Sequence, residues 1–421
     1  MLSAHVIIQR FESVRLAAQI EIRRHEGSAG RAEALPSIRV RRQFQDRLRQ
    51  GFVVRLGNQE SRFPFLHGLR DTAAPRSDDG EAYRLGLQEN HSQTFSIANW
   101  LDSRSAPGQL RSASHGSTRT LALWAQGAVK LTPSLGLTLG GRYEWWRAYD
   151  GLNSTLSTAV NASLAQPERR FGGFSPKASL EWKDGRGFSV RLSAGQAWRM
   201  PTVGELYQTT SVGTLLANPN PGLLPERARS LELSLAREDA NGLFRISLFN
   251  EVIDNALISQ LNPTSNATFV QNVDRTRARG VELVADRRNV LPRLDLAFSL
   301  TYADAITSKD TVFPAAVGKL LPSVPHWKGS AVVTWRATPK LTLTTAARFA
   351  SRNYANLAND DTVGQTYQGF YKYFVVDMRA AYKLSEHIEL AVGVDNIGND
   401  KYFLFHPFPQ RSFTAQVNWK L

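Results

Sequence analysis

Cysteine is absent from the 421 residues of the chain. This absence excludes disulfide bonds, thiolate metal ligands, iron–sulfur clusters and cysteine nucleophiles. The sequence also lacks any uninterrupted apolar run of the roughly 18 to 20 residues that a membrane-spanning helix needs. A protein that crosses a membrane with helices is therefore excluded.

Motifs of known catalytic chemistry are missing as well. The sequence has no G-x-S-x-G, no H-E-x-x-H and no phosphate-binding loop. None of its 8 histidines lies at a metal-ligand spacing from another. A hydrolase would need a serine, a histidine and an acid that only the fold brings together. We therefore expect no enzyme, no metal site and no cofactor.

The charged residues are unbalanced but dispersed. There are 51 Lys and Arg against 37 Asp and Glu, a formal net charge of +14, in a chain with 42% hydrophobic and 21% charged residues. This composition is too apolar for a disordered protein. Because the basic residues are scattered and form no single patch, we expect no nucleic-acid partner.

From residue 118 onward, apolar and polar residues alternate with the period of two that is typical of β-strands. In residues 135–147, Tyr143 and Trp145 share one face, and Arg142 and Glu144 share the other. The same alternation recurs at 188–198, 294–302, 374–382, 388–395 and 413–421. It predicts strands of about ten residues, which is longer than usual for soluble sheets. In residues 374–382, the even-numbered side chains should face outward, with Asp377 and Arg379 inward.

The connections between these segments are of two kinds. Short turn signals occur about 50 residues apart, at 132–134, 184–187, 239–242, 289–292, 337–339 and 384–386. Long polar connections lie between them, at 148–171, 199–227, 253–275, 304–326, 351–371 and 397–410. Tight turns at one end and long connections at the other predict an up-and-down meander. It would have about thirteen strands after residue 118 and about five upstream, near 15, 36, 48, 80 and 92, or roughly 18 in all.

Strand length and aromatic placement favour a membrane protein over a soluble sandwich. Strands of about nine to eleven residues match a tilted bilayer crossing, and aromatic residues at the strand ends are typical of the two interfacial girdles. The alternative is a large soluble β-protein whose aromatic residues complete its core. We predict an all-β fold, an antiparallel up-and-down transmembrane β-barrel. Residues 1–117 would supply weakly patterned N-terminal strands and loops, and residues 118–421 the C-terminal barrel strands, with no plug domain.

A series of short motifs follows in order along residues 197–421. They are Ala197–Tyr207 (AWRMPTVGELY), Asn218–Pro221 with Leu224–Glu226, Asn272–Asp274 with Arg279–Glu282, and Val394–Ile397 with Lys401–Tyr402 and Pro409–Phe413. Together they resemble segments of the barrel of TonB-dependent outer-membrane receptors, siderophore receptors in particular.

This resemblance implies a barrel of about 22 strands, preceded by a signal peptide, a TonB-pairing box and a plug domain. None of these N-terminal features is visible in this sequence, which suggests a truncated product or a misassigned start. We therefore expect an incomplete wall that leaves Phe413–Leu421 without one of its family partners. The implied location is the outer membrane of a Gram-negative bacterium.

The resemblance also implies a function: TonB-dependent uptake of a scarce ligand, in the first place a ferric siderophore. The alternatives are a passive outer-membrane pore and a receptor for cobalamin, haem, copper or a saccharide. Haem receptors of the family place a histidine between the first two motifs, and residues 202–217 contain none. The implied partners are the ligand, outer-membrane lipid and lipopolysaccharide, and TonB only through a plug that this chain lacks. The protein would be a monomer.

Two groups of residues are candidates for ligand contact. Loop residues converge at the mouth of a barrel, and the candidates there are Tyr207, Tyr354, Tyr367, Tyr371 and His406. Basic residues on the polar faces could attract an anionic ligand into the lumen, and these are Arg142, Arg191, Arg279, Arg348 and Arg379. The tyrosines could instead be ordinary interfacial aromatics, and basic residues could bind lipopolysaccharide phosphates or balance the charge of a plug. For Arg199 and Glu205, we expect an internal pairing of Glu205 rather than ligand contact.

Overall fold

The computed structural model describes residues 52–56, 59–63, 82–101, 107–156, 161–208, 210–212, 215–262, 267–361, 364, 369–404 and 406–419. The strands up to residue 218 are β1 (Phe52–Leu56), β2 (Gln59–Phe63), β3 (Ala82–Leu101), β4 (Pro107–Thr132), β5 (Leu135–Leu156), β6 (Asn161–Gln166), β7 (Arg169–Lys183), β8 (Phe188–Arg199), β9 (Thr210–Val212) and β10 (Leu215–Asn218). The later strands are β11 (Glu226–Asp239), β12 (Gly242–Asn262), β13 (Ala267–Leu291), β14 (Leu294–Lys309), β15 (Trp327–Trp335), β16 (Leu341–Ala350), β17 (Tyr373–Lys383), β18 (Ile388–Asp395), β19 (Phe403–Leu404), β20 (His406–Pro407) and β21 (Ser412–Trp419).

Helical structure is nearly absent from these residues. A single turn of α-helix, α1, spans Val203–Tyr207, and a 3-10 helix spans Pro314–Ala316. In the described ranges, every helix is too short or too polar to cross a membrane. The fold is therefore built from strands, as the alternation of residues predicts.

The main sheet is an antiparallel meander. A path across it from β2 to β21 crosses 15 strands, each joined to its neighbour by antiparallel pairing. β1 adds to the row beside β2. The short strands β6, β9, β10, β19 and β20 lie in the long connections. Because β4 runs through position 118, residues on both sides of that position share one sheet.

The predicted tight turns all join consecutive strands of the meander. In the turn between β7 and β8, Asp184 Oδ1 accepts hydrogen bonds from the backbone N–H of Arg186 (2.7 Å) and Phe188 (2.9 Å). Gly187 in this turn has φ of 96°, and a Cβ placed on it would lie 2.0 Å from the carbonyl oxygen of Glu238. Only glycine fits both requirements, so the turn position follows from local chemistry.

The strand lengths differ from the prediction of about ten residues. β4 has 26 residues and β13 has 25, whereas β18 and β21 have 8 each. The predicted connection at 253–275 is mostly strand, since β12 ends at Asn262 and β13 begins at Ala267. The predicted strands near 80 and 92 correspond to the single strand β3, and those near 15, 36 and 48 lie outside the described residues. Apolar alternation marks only the part of a strand that faces lipid, so it misses polar extensions beyond it.

The two faces of the sheet carry different side chains, as predicted. On β5, Tyr143 and Trp145 are exposed on one face, while Arg142 and Glu144 pair with each other on the opposite face. On β17, the even-numbered Phe374, Met378 and Tyr382 are exposed on the first of these faces. We call this surface the apolar face and the opposite surface the polar face. A continuous exposed apolar face suits contact with lipid acyl chains.

The part of the sheet that the structure describes is not closed into a complete barrel. Within the described residues, β21 pairs with β18 on one side only. Phe413, Val417 and Trp419 are strongly exposed on this last strand. The described residues of β21 therefore form an edge of the described sheet.

Buried apolar residues cluster where the long connections fold back onto the polar face. One cluster joins α1 to the sheet and contains Trp146, Ala148, Val203, Leu206, Tyr207, Leu223 and Leu257. A second joins the connections after β14 and β16 to the sheet and contains Ile253, Ala256, Ile258, Val273, Ala278, Ala305, Ala316, Leu321, Val324 and Leu357. These two clusters hold the long connections in place at that end of the sheet.

Candidate ligand site in the long connections

α1 is fixed to the end of β8 by its own polar side chains. Thr202 caps the helix and Glu205 completes a capping box, in which each side chain accepts the backbone N–H of the other residue. Arg199, the last residue of β8, donates from Nη2 to Glu205 Oε1 at 2.6 Å. The predicted internal pairing of Glu205 is therefore present. It turns the chain from the strand into the helix.

Tyr207 ends α1 and is only 1% exposed. Its ring lies against the backbone of β4 and β5: a Cβ on Gly116 would be 2.1 Å from Tyr207 Cδ2, and a Cβ on Gly151 would be 2.4 Å from Tyr207 Cε1. Asn153 Nδ2 donates to the Tyr207 carbonyl oxygen at 2.9 Å. Burial raises the pKa of the Tyr207 hydroxyl. The structure thus places this candidate in the wall of the sheet, in a space that two glycines leave open.

Tyr354 and Tyr371 come together around an arginine. The guanidinium carbon of Arg352 lies 4.8 Å from the ring centroid of Tyr354 and 5.6 Å from that of Tyr371. Its Nε and Nη2 atoms are buried and have no hydrogen-bond partner among the described residues. The three residues form a cation–π cluster with unused hydrogen-bond donors. We call it the Arg352 cluster.

A carboxyl group lies near this cluster. Asp361 Oδ2 accepts the backbone N–H of Ala355 at 2.8 Å, and Oδ1 has no partner among the described residues. Burial raises the pKa of Asp361, and the hydrogen bond from the Ala355 N–H and the positive charge of Arg352 only partly offset this effect. The connection therefore holds a partly buried acid beside a partly buried guanidinium without a direct hydrogen bond between them in the described structure.

His406 lies in the neighbouring connection. It is exposed in the small hairpin of β19 and β20. An isolated β-bridge between Phe370 and Leu404 joins this connection to the one that carries Tyr371. Tyr371 and His406 are thus in adjacent connections, whereas Tyr207 belongs to a different part of the sheet. Tyr367 lies outside the described residues.

Four of the five predicted basic residues lie on the polar face, and each has a polar partner. The contacts are Arg142 with Glu144 (2.8 Å), Arg191 with Glu181 (2.6 Å), Arg348 with Asp377 (3.4 Å) and Arg379 with Gln416 (2.9 Å). Arg142, Arg191 and Arg348 are thus paired with carboxylates, whereas the partner of Arg379 is a neutral amide.

Arg279 is a correction, because it lies on the apolar face. It is two residues from Val281, which pairs with Leu248 and Tyr302 on that face. Its Nε lies 3.2 Å from Asp304 Oδ2. The prediction of a lumen position was wrong because the apolar face also becomes polar where β13 approaches the long connections. In that part of β13, the polar character of one residue does not indicate on which face of the sheet it lies.

Arg352 was not predicted as a site residue. The only sign of it in the sequence is an arginine two positions before Tyr354 in a polar connection, which is a weak pattern. In the described ranges, no group of three His, Cys, Asp or Glu side chains is arranged to hold a metal ion.

Comparison with known proteins identifies the fold family. The family model described as TonB dependent receptor-like, beta-barrel, matches residues 22–397. The chain belongs to this family. Members of the family are outer-membrane β-barrel proteins of Gram-negative bacteria, and the relatives found are transport receptors rather than enzymes.

Individual relatives of this TonB-dependent receptor chain are distant. The ferric enterobactin receptor of Pseudomonas aeruginosa is 24% identical over 327 residues, which cover 70% of this chain and 39% of that protein. The ferric-catecholate import receptor Fiu of Escherichia coli K12 superposes with a TM-score of 0.60 at 16% identity, covering 88% of this chain and 53% of that one. The copper transporter OprC superposes with a TM-score of 0.61 at 16% identity, covering 86% and 55%. The chain thus spans about two fifths of the curated relatives that it matches.

The closing motif of the TonB-dependent receptor chain forms a buried turn. Asn396 is buried, adopts φ of 52°, and donates from Nδ2 to the carbonyl oxygen of Asp400 at 2.8 Å. Its backbone N–H donates to Asp377 Oδ1 at 2.7 Å. Asparagine tolerates the left-handed conformation better than most residues. This part of the family motif therefore has a structural role after β18.

Proposed function

We propose that the chain is the barrel part of a TonB-dependent receptor that takes up an anionic ferric siderophore, with the Arg352 cluster contacting the ligand. The family and the receptors named for ferric enterobactin and ferric catecholates support this class of ligand. In the whole receptor, TonB would act through a plug domain. The observation that carries the ligand assignment is that Nε and Nη2 of Arg352 are buried and have no hydrogen-bond partner among the described residues.

The chemistry of the cluster fits a catecholate. An unsatisfied buried donor costs about 1 to 3 kcal/mol, so an oxygen anion that accepts from Arg352 would be stabilised by recovering that energy. A charge-assisted hydrogen bond to a guanidinium is among the stronger polar contacts in proteins. Tyr354 and Tyr371 add aromatic surface that can pack against a planar ring. Ferric catecholates offer both anionic oxygens and aromatic rings.

Ferric enterobactin is the probe for this proposal. Binding to the full chain in detergent micelles would be followed by quenching of tryptophan fluorescence. Arg352→Met should weaken binding on the order of tenfold, because it removes the charge and the donors while keeping the length of the side chain. Addition of Cu²⁺ alone should show no dependence on Arg352, since a guanidinium repels a cation.

Arg147→Met is the matched control. Arg147 also stacks on a tyrosine, with its guanidinium carbon 4.7 Å from the Tyr149 centroid on β5, but its Nη2 donates to Glu168 at 2.5 Å. This variant should bind ferric enterobactin as the parent does. Equal affinity of the Arg352→Met and parent proteins would refute the ligand assignment. Uptake by the whole receptor that persists without a proton gradient would instead indicate a passive pore.

A further inference from the structure

The apolar face carries a patch of arginines at its long-connection end. The residues lie on β11 and β13 and share the face of Leu231 and Val281. They are Arg227, Arg229, Arg275, Arg277 and Arg279. Alternate residues of a strand that share a face are about 7 Å apart, and β11 and β13, which flank β12, are about 10 Å apart. The patch is therefore a compact cationic surface, which we call the arginine patch.

Two carboxylates hold the five guanidinium groups. Asp254 on β12 contacts Arg227 and Arg229 at 2.9 Å and Arg275 at 2.7 Å. Asp304 on β14 contacts Arg277 at 3.3 Å and Arg279 at 3.2 Å. Five positive and two negative charges leave the patch at 5 − 2 = +3. Each guanidinium has about five N–H donors, so two carboxylates leave most donors free for other acceptors.

The arginine side chains of the patch are more exposed than the two carboxylates. The arginine side chains are 32% to 60% exposed, whereas Asp254 is 12% and Asp304 is 22% exposed. The acids therefore lie beneath the arginines and orient them, and the outer surface of the patch is almost purely cationic. An anion approaching this face meets donors before it meets the carboxylates.

The patch borders the exposed apolar band. Leu231 and Leu248, on the same face and nearer the tight turns, are half exposed. The guanidinium carbon of Arg227 lies 5.7 Å from the Trp198 ring, and Tyr302 contacts Trp327 on the adjoining strands at 4.8 Å between centroids. Aromatic residues of this kind lie at the headgroup level of a bilayer. The arginines follow them on the side of the long connections, which in such barrels is the extracellular side.

We propose that the arginine patch binds the phosphate groups of lipid headgroups in the outer leaflet, of the kind found on diphosphorylated lipid A. Guanidinium groups bind phosphate with paired, charge-assisted hydrogen bonds. Lipid is the natural source of the phosphate, because the face that carries the patch continues directly into the surface that contacts acyl chains. The patch would fix the height of the sheet in the membrane on this side.

The test compares retention of lipid by the full chain in detergent micelles, measured by native mass spectrometry. The triple variant Arg275→Gln, Arg277→Gln, Arg279→Gln should lose diphosphorylated lipid A on the order of tenfold relative to the parent chain. The control is Arg287→Gln, on the same strand and face but at the tight-turn end, where Arg287 pairs with Asp239 at 2.7 Å. It should retain lipid A as the parent does.

Three further measurements decide the outcome. Dephosphorylated lipid A should bind no better to the parent chain than to the triple variant, and equal retention of both lipids by the parent would overturn the proposal. Inorganic phosphate that displaced lipid A at similar concentration would show an anion site without lipid specificity, and would also overturn it. The variant with lysine at all three positions keeps the charge and should recover part of the retention. Failure of this variant while it remains folded, as shown by its thermal unfolding, would contradict a phosphate site.

Discussion

Replacing Tyr207 with alanine should destabilise the long-connection end of the sheet by about 3 to 5 kcal/mol, the usual cost of removing a buried aromatic side chain. The ring is 1% exposed and packs on α1, β4 and β5. Tyr207→Phe keeps this ring and should cost far less. If Tyr207 were instead a surface residue that contacts ligand, both substitutions would leave stability nearly unchanged.

The glycines that receive the ring provide an independent measure of the same packing. An added Cβ on Gly116 would lie 2.1 Å from Tyr207 Cδ2, far inside contact distance, so Gly116→Ala should cost about 1 to 3 kcal/mol through overpacking. In the Tyr207→Ala background the clash is absent. The two substitutions should therefore couple, and the double variant should be more stable than the sum of the single effects predicts.

Urea titration of the chain in detergent micelles, followed by tryptophan fluorescence, measures these effects. Trp146 is in the same buried cluster as Tyr207 and is 3% exposed, so its emission reports local opening. Gly136→Ala on β5 is the matched control, since the nearest heavy atom to its added Cβ would be 3.9 Å away. If Gly116→Ala behaved as Gly136→Ala does, the packing of Tyr207 on β4 would be refuted.

Three other outcomes are expected. The pKa of Glu168 is lowered, chiefly by its hydrogen bond from Arg147, so the stability that Glu168 contributes should be lost as the pH falls through the lowered pKa. Urea midpoints measured against pH should show a smaller loss for Glu168→Gln, and an unchanged slope would contradict the pairing. The pKa of Asp361 is raised by burial, so the stability of the protein should fall as the pH rises from the ordinary carboxyl pKa through the raised pKa of Asp361. Urea midpoints of the Asp361→Asn variant should show no such fall. Leu192→Arg on the apolar face should cost about 2 to 4 kcal/mol in lipid vesicles, while Ser193→Arg on the polar face should cost little; similar costs would mean that the faces are assigned wrongly.

The tight turns and the two faces could be predicted because both depend on local chemistry. Asp184 and Gly187 determine their turn through their own hydrogen bonds and φ angle, and a period of two needs only neighbouring residues. Strand ends could not be predicted in the same way. Beyond the part of the sheet that faces lipid, both faces carry polar residues. β12 and β13 therefore continue through a segment whose polar sequence predicts a loop.

The site residues were harder to predict for a related reason. Tyr354 and Tyr371 could be named from their place in a long connection, but their meeting at Arg352 depends on how that connection closes. Tyr207 also lies in a long connection, but its burial depends on Gly116 and Gly151, which are 91 and 56 residues before it in the sequence. Arg279 was placed on the wrong face because it continues the alternation of Val281 and Leu283 into a segment where the apolar face carries polar residues. Whether such a residue is exposed in a loop or buried against the sheet depends on long-range packing, which the local sequence pattern does not show.

The order of the strands has a consequence for how the protein assembles. Almost every strand of the meander pairs with the strand that precedes it and the strand that follows it along the meander. The pairs joined by tight turns close only short loops, so their entropic cost is low, whereas the pairs joined by long connections close longer loops at a cost that grows only slowly with length. A substitution within one hairpin should therefore delay the addition of later hairpins without dissolving earlier ones. At each stage, the last strand added forms the edge of the sheet and is the template for the next strand. In the described sheet, β21 is such an edge strand.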